Sequence, residues 1–345
     1  MSTTIQSTQL DFAAIKNKLK TFLAQQPEFA DYNFEGAGLS NILDVLAWNT
    51  HFNGLVANFA LNESFLSTSQ LRSSVVGHAD ALGYVPRSRA AALGVVALSI
   101  VNTAPNRSPF VTLPAFTTFA GAVDGVAYQF QTIEPHTAFD NGVGVYNFLN
   151  TLGEAEVVIK EGRQTSKTFY VGEAGERTVY VIPDTNVDIN TIEVRVYDSP
   201  SSTTFTSYTN LRQAVQVTLD STLYDLAEAP NGYWELHFSD GFSTGRSPVT
   251  GNKIVVTYLS VAGEEANGVT LFTPSNSITM DNTQFNLQVN VVAASSGGSE
   301  KESIESIKQN APIAFASQQR LVTALDYRAQ ILSTFNTIRD CIAWG

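Results

Sequence analysis

The chain has 345 residues, a formal net charge of -12, only 15% charged residues and a single cysteine, Cys341. That length implies two or three domains, and a polar balance carried by Ser, Thr, Asn and Gly suits β-rich, hydrogen-bonded surfaces. The acidic field repels a polyanion such as nucleic acid unless folding gathers a local basic patch, and one cysteine leaves neither an intrachain disulfide nor a cysteine-based metal site.

Residues 1–9 are polar, and Met1-Ser2-Thr3-Thr4 lacks the charged and apolar regions of a secretory signal. No apolar run approaches the ~18 residues of a membrane span, so the expectation is assembly in a cytoplasm with no membrane partner. Residues 10–26 predict an amphipathic helix with Phe12, Ile15, Leu19, Phe22 and Leu23 on one face and Lys16, Lys18 and Lys20 outside it. Pro27 ends it. The connector that follows carries Phe29, Tyr32 and Phe34, aromatics that pin a link to something.

The stretch 35–86 organises the rest. At alternating spacings of three and four, one seam reads Val45, Trp48, Phe52, Leu55, Phe59 and Leu66, with Asn62 as its polar member. A second seam, Leu39, Ile42, Leu46, Val56 and Ala60, lies beside it and is interrupted by Asn49 and Asn53. This is helix period and not strand period. One stripe suffices to dock a helix on its own domain; two stripes imply neighbours on most sides. Two readings stay open on pattern alone: a core helix of an ordinary domain, and a helix completed by other chains. The helix breaks near Asn62. A second, with Ser67 or Thr68 as cap, runs through Leu71 and Val76 and ends at Gly83 and Pro86.

After Pro86 the period changes. Strands are predicted at 95–101, 125–131, 156–160, 168–171 and 178–182, then around Ile192, Val194 and Val196, around Trp234, Leu236 and Phe238, and around Ile254, Val256 and Tyr258. Short strands with turn signals between them argue for an all-β region of two small domains. Ser295-Ser296-Gly297-Gly298-Ser299 reads as a loop feeding a helix, with Ser299 as cap, Glu300 and Glu302 in the first turn, Ile304, Ile307 and Ala311 as the buried stripe, and Pro312 as the stop. Thr323 and Asp326 start another helix in a weaker form of the capping box. The run 338–344 reads as a strand halted in mid-element, so the sequence is expected to be incomplete at this end. The fold class is therefore α+β and multidomain: an N-terminal long-helix segment (1–88), a first β-rich domain (89–172), a second (173–292), and an incomplete C-terminal α/β segment (293–345).

Chemistry is sparse. Gly241-Phe242-Ser243-Thr244-Gly245 matches the string of a nucleophile elbow, but Pro248 and Gly251 follow where a helix is required, so a hairpin loop is expected. Asp184, Asn186, Asp188 and Asn190 mimic the odd positions of a calcium loop, yet Ile189 replaces the required Gly and Arg195 the bidentate acid, so a turn is expected. His51, His78, His136 and His237 show no ligand spacing; His51 is expected partly buried and His237 solvated. Glu264 and Glu265, adjacent in a turn, point apart and do not form an acid pair. No phosphate-binding or dinucleotide fingerprint occurs. The expectation is no catalytic residue, metal or cofactor.

Short strings recur along the chain: Asp31-Tyr32-Asn33-Phe34-Glu35-Gly36, Asn49-Thr50, Glu63-Ser64-Phe65, Leu71-Arg72-Ser73-Ser74-Val75-Val76 and Gly83-Tyr84-Val85-Pro86; then His237-Phe238-Ser239-Asp240-Gly241, Gly251-Asn252-Lys253-Ile254 and Ala266-Asn267-Gly268; then Gly297-Gly298-Ser299, Glu302-Ser303-Ile304 and Thr323-Ala324-Leu325-Asp326-Tyr327. In this order they resemble the baseplate wedge subunits of T-even-like contractile-tailed bacteriophages, a Baseplate-J-like family; the stretch 100–230 matches only loosely. The resemblance implies a structural virion protein of the tail baseplate. It implies a partner copy in a different conformation, a second wedge protein joined through a three-chain helical core bundle, and other wedge and sheath-initiator proteins around an inner ring whose widening triggers sheath contraction. On that view Val45, Trp48, Phe52, Leu55, Phe59 and Leu66, with Leu39, Ile42, Leu46 and Val56 beside them, bury against partner helices, and Asn62 sets register. The family chain continues beyond a position like Trp344, through a part that carries a ring contact in the relatives. Two other classes remain, a host-adhesion protein and a tail-associated glycan hydrolase; neither accounts for the helical N-terminus.

Overall fold

The computed structural model describes residues 11–29, 34, 38–172, 179–214, 216–239, 245–317, 320–334, 338 and 341–344. They divide into two compact units, one made by the chain up to Tyr84 together with Ile304–Pro312, the other by Val85–Ser303 and the described residues after Pro312.

The first unit is helical. It holds α1 (Phe12–Ala24), α2 (Gly38–Glu63), α3 (Arg72–Ala81) and the first turns of α4 (Ile304–Ser317). Asp11 caps α1, its side chain accepting from the Ala14 amide at 2.6 Å. Neither Ser67 nor Thr68 caps α3. Its N-cap position is Leu71, with no side-chain cap of its own; the Glu63 carboxylate accepts from the amides of Gln70 (2.7 Å) and Leu71 (3.3 Å), while the Thr68 hydroxyl donates to the Asn62 carbonyl at 2.6 Å. Gly83, at φ 73, ends the helical run as expected. Ile307 and Ala311 are buried, but Pro312 does not stop α4, which continues to Ser317. A proline inside a helix costs one amide hydrogen bond and crowds the preceding turn; flanked by Ala311, Ala314 and Ala316 the chain stays helical through it.

The second unit is β-rich. In chain order it contains β1 (Leu93–Val101), β2 (Phe110–Leu113), β3 (Thr118–Val123), β4 (Val126–Thr132), β5 (His136–Phe139), β6 (Val145–Asn147), β7 (Val157–Glu161), β8 (Arg163–Tyr170) and β9 (Tyr180–Ile182). There follow β10 (Val187–Tyr197), β11 (Phe205–Asn210), β12 (Leu223–Glu228), β13 (Trp234–Phe238), β14 (Lys253–Ser260), β15 (Phe272–Pro274), β16 (Ile278–Met280), β17 (Thr283–Phe285) and β18 (Gln288–Ser296). α5 (Ala324–Thr334) comes last; Asp326 accepts from the Val322 and Thr323 amides, and the Thr323 hydroxyl accepts from the Asp326 amide, the capping box foreseen there. Ile338 and 341–344 are not in a strand, contrary to expectation.

One sheet runs β15-β3-β4-β7-β1-β18, with β6 also on β1; the other runs β8-β14-β10-β11-β12-β13-β9. In β1 and β14 the buried and half-exposed residues alternate, the burial expected of strands with one face on a core. Val96, Ile100, Phe119, Phe130 and Ile159 fill the first core, and Ile182, Val194, Trp234, Leu236 and Val256 the second. The expected divisions at 172 and 292 do not coincide with the sheets. β8 pairs with β14 over its whole length, β15 pairs with β3 and β18 with β1, so the first sheet is interrupted by the second. The chain passes from β7 to β8 at Gly162, at φ 127, where a Cβ would lie 2.8 Å from Val261 Cγ1.

Both sheets are fastened to the segment 87–92. Ala90 and Ser299 exchange backbone hydrogen bonds (3.0 and 3.2 Å), and the Ala92 carbonyl accepts from Glu161 at 2.8 Å. Arg89 donates to Glu300 Oε2 through Nε (2.8 Å) and Nη2 (2.6 Å) and to Asn186 Oδ1 through Nη1. The Ala91 amide donates to Asp188 Oδ2 at 3.1 Å, and the Ile189 amide to the Ser88 hydroxyl. The buried Glu302 carboxylate accepts from the Arg87 amide at 3.1 Å. Ser299 is therefore a bridge residue and not a helix cap, and Glu300 and Glu302 hold distant arginines.

Glu161 is 4% exposed at this junction. Burial pushes its carboxyl up to about 7 against the amides of Ala262 and Gly263 and the charge of Arg89, with nearby Asp188 pushing the same way. Asp188 is itself raised by burial. A carboxyl raised in the folded state stabilises fully below its unfolded value near 4.5, and loses that contribution as pH rises through about 7. The shift is worth roughly 3 kcal/mol. Guanidinium unfolding of the full chain is expected to show the β unit more stable at about pH 5 than at about pH 8. Glu161→Gln, which keeps the acceptor, should flatten most of that difference; an unchanged slope would refute the assignment.

Candidate assembly surface

α2 has 26 residues, a length of about 39 Å. Its inward face is Leu43, Ala47, His51, Gly54, Asn58 and Asn62, at spacings of four and three; Leu43 is 2% and Ala47 0% exposed. Small and amide side chains line most of this face, which lets the backbone come close. The large apolar residues lie elsewhere. Ile42, Val45, Leu46, Trp48, Phe52, Leu55, Val56 and Phe59 are all exposed, Val45 at 68% and Trp48 at 63%. Leu39 and Leu66 are half-buried. The two seams therefore share one outward surface that is left largely, though at Trp48 not wholly, unpacked within the described unit. Contiguous apolar area on this scale marks an interaction site.

Asn62 departs from the seam. It is buried in its own unit, with its amide nitrogen donating to the Asn58 carbonyl at 2.7 Å. The interrupting pair Asn49 and Asn53 is exposed and linked side chain to side chain at 3.3 Å. α1 lies along α2. Lys16 forms an ion pair with Asp44, so it belongs to the contact and not outside it, and Phe12 meets Trp48 edge to face at 6.4 Å. Ile15 is buried while Phe22 is exposed. A groove of about 560 Å³ between the two helices is lined by Ile15, Leu19, Thr50, Asn53, Gly54 and Ala57. At the far end of α2, His78 Nε2 lies 2.8 Å from the Glu63 carbonyl. Burial pushes the Glu63 carboxyl up, but the Gln70 and Leu71 amides, Ser74 and the Lys308 charge outweigh it and hold it below the usual range.

The other expected sites do not converge. His51 is half-buried beside Trp48, His136 sits on β5 with its pKa lowered by burial, and His237 is exposed with Nε2 3.6 Å from Glu235 Oε2. Among the described residues no group of His, Cys, Asp or Glu is arranged to hold a metal ion. Glu264 and Glu265 are exposed on a 3-10 turn, Gly263–Ala266. Residues 241–244 lie outside the described residues. Of the calcium-loop mimics, Asp184 and Asn186 form a turn, but Asp188 and Asn190 belong to β10. Among the described residues no helix is long and apolar enough to cross a membrane.

Residues 11–84 match the family described as baseplate wedge protein gp6-like, helical domain. The chain is 30% identical over 358 aligned positions to baseplate wedge protein gp6 of Enterobacteria phage T4, an alignment covering 96% of this chain and 51% of the relative. The chain thus spans about half the length of that curated relative. A chain in the anti-feeding prophage baseplate aligns with 98% of this chain and 67% of its own, at 16% identity and a TM-score of 0.33, too low for a shared fold to be argued from it.

Removing the Glu63 carboxylate in Glu63→Ala should destabilise the helical unit by about 1 kcal/mol, the usual cost of a lost cap. Because this carboxyl is held low, the wild-type advantage should be present at neutral pH and fade as pH falls through its folded value. Urea unfolding followed by far-ultraviolet ellipticity of both proteins measures it; equal midpoints at neutral pH would count against the cap.

Proposed function

From the premise that the chain is a relative of the gp6-like baseplate wedge proteins, we propose that it is a structural subunit of a phage tail baseplate wedge whose α2 surface is its assembly element. The observation that carries this reading is the outward stripe of α2, eight large apolar side chains left in solvent on one helix of a chain whose β cores are otherwise filled. Helix-in-groove and bundle contacts read such a stripe at spacings of three and four. In the bundle proposed here, α2 packs against the equivalent helix of a second copy in another conformation and against a helix of a second wedge protein. Rings of such wedges, with further wedge and sheath-initiator proteins, would surround the tail hub and pass on the contraction trigger. The groove beside Gly54 and Ala57 offers a place where side chains of a neighbouring helix can insert. Burying the remaining half of each stripe residue contributes about 1 kcal/mol, so the stripe as a whole suffices for an obligate assembly. The role is structural, and no catalytic step is assigned.

Phe52 and Leu55 are about half exposed, so Phe52→Asp or Leu55→Asp should leave the isolated chain folded. Either change is expected to abolish wedge assembly, read as the loss of higher-mass species by light scattering after gel filtration, with unchanged far-ultraviolet ellipticity. A folded mutant that still assembles would sink the proposal.

A further inference from the structure

The second sheet begins at β8 and ends at β9. The two end strands approach one another, with the rings of Phe169 and Tyr180 5.4 Å apart and edge to face, yet they are not hydrogen-bonded strand to strand. The sheet is a curled, unclosed cylinder. Its seam is held open by the sequence: β9 stops at Ile182, and Pro183 has no amide proton with which to extend pairing towards β8. β8 pairs with β14 along its whole length, from Arg163 opposite Ser260 to Tyr170 opposite Lys253. In such a ladder alternate amides and carbonyls point to the other side, and among the described residues no strand takes them. A cleft of about 490 Å³ lies along this edge, lined by Arg163, Thr165, Lys167, Pro183, Asp184 and Tyr258 among others.

The charges along the edge select the occupant. Arg163 and Lys167 are exposed and stand on one face of β8, opposite Ser260 and Val256. Among the described residues neither forms an ion pair or side-chain hydrogen bond, although the chain carries a net charge of -12. Asp184 also lines the cleft, but its carboxylate accepts from the Asn186 amide at 2.8 Å and is engaged in its own turn. A second copy of the chain fits poorly. Antiparallel pairing of β8 with another β8 centred on Thr165 sets Arg163 against Lys167 twice, and like charges opposite one another destabilise a strand pair. We propose that the open edge of β8 is a strand-addition site for an extended acidic segment of another protein, whose backbone completes the ladder and whose carboxylates meet Arg163 and Lys167. Strand addition of this kind draws affinity from main-chain hydrogen bonds and specificity from alternate side chains. The site is separate from the α2 surface, and either can fail without the other. The rival reading is that Lys167 guards a free edge against association, as inward-pointing charges on edge strands do.

The experiment titrates the full chain into fluorescent heptapeptides by anisotropy: one alternating Glu with Val and Thr, its Lys-for-Glu counterpart, and the acidic peptide N-methylated at alternate residues. The acidic peptide should bind saturably and lose about tenfold or more in affinity to R163E/K167E, and high salt should weaken it. The basic and N-methylated peptides should not bind. Equal binding of either control, or indifference to the double reversal, would overturn the proposal. So would a rise in self-association of Lys167→Val, which would make the cations guards, or a self-association of the full chain that R163E/K167E abolishes, which would make the occupant a second copy.

Discussion

The short segment 87–92 is the constraint on which the rest of the β unit depends. It is held on several sides at once: by Ser299, Glu300 and Glu302, which follow the last strand, by Asn186, Asp188 and Ile189 at the start of β10, and by Glu161 at the end of β7. These partners come from stretches far apart in the chain, and most of the bonds involve groups removed from water. A buried donor or acceptor left unpaired costs more than a made bond contributes, so the arrangement tolerates little local rearrangement. The two sheets have separate cores and share this fastening.

The helical unit follows a different logic. The inward face of α2 carries mostly small and amide side chains beside Leu43, and its bulkiest apolar groups face out. A domain optimised to stand alone would reverse that distribution. In the assembly proposed above, association is less an addition to a finished fold than a completion of the hydrophobic burial that the sequence provides for.

Much of this was legible in the sequence because it rests on local periodicity. The alternation of Ile192, Val194 and Val196 and of Ile254, Val256 and Tyr258 marks β10 and β14, and the three-and-four spacing of Val45, Trp48, Phe52 and Leu55 marks α2 as a helix, while leaving open whether that seam faces its own core or other chains. What escaped was non-local. β18 alternates only over Gln288-Val289-Asn290-Val291, with Val289 and Val291 half-buried on the first core; its second half, Val292–Ser296, breaks the alternation, and Ser295 and Ser296 read as loop. β11 and β12 lie among Ser and Thr, which read as loop. Ser299 with Glu302 three residues on has the spacing of a capping box, but arginines two hundred positions earlier claim the glutamates. The inward face of α2 is hard to read because Ala47, Gly54, Asn58 and Asn62 look like gaps in an apolar pattern; read together, their spacing marks a close helix contact. Nothing local tells which sheet a strand joins, so β8 reads from sequence as part of the first β domain.

The interruption of one sheet by the other has a temporal side. β1 takes β6 and β7 on one edge and β18 on the other, and Ser99 and Gln288, which meet across that second edge, are 189 positions apart. At synthesis rates of roughly 5–20 residues per second, β1 waits on the order of ten to forty seconds on the ribosome for its last neighbour. Meanwhile the inserted sheet, whose strands all lie between Arg163 and Ser260, has every partner it needs. The nascent chain thus matures from the inside outward, and for that interval the half-built sheet around β1 presents an unpaired edge to whatever holding factors the cell supplies.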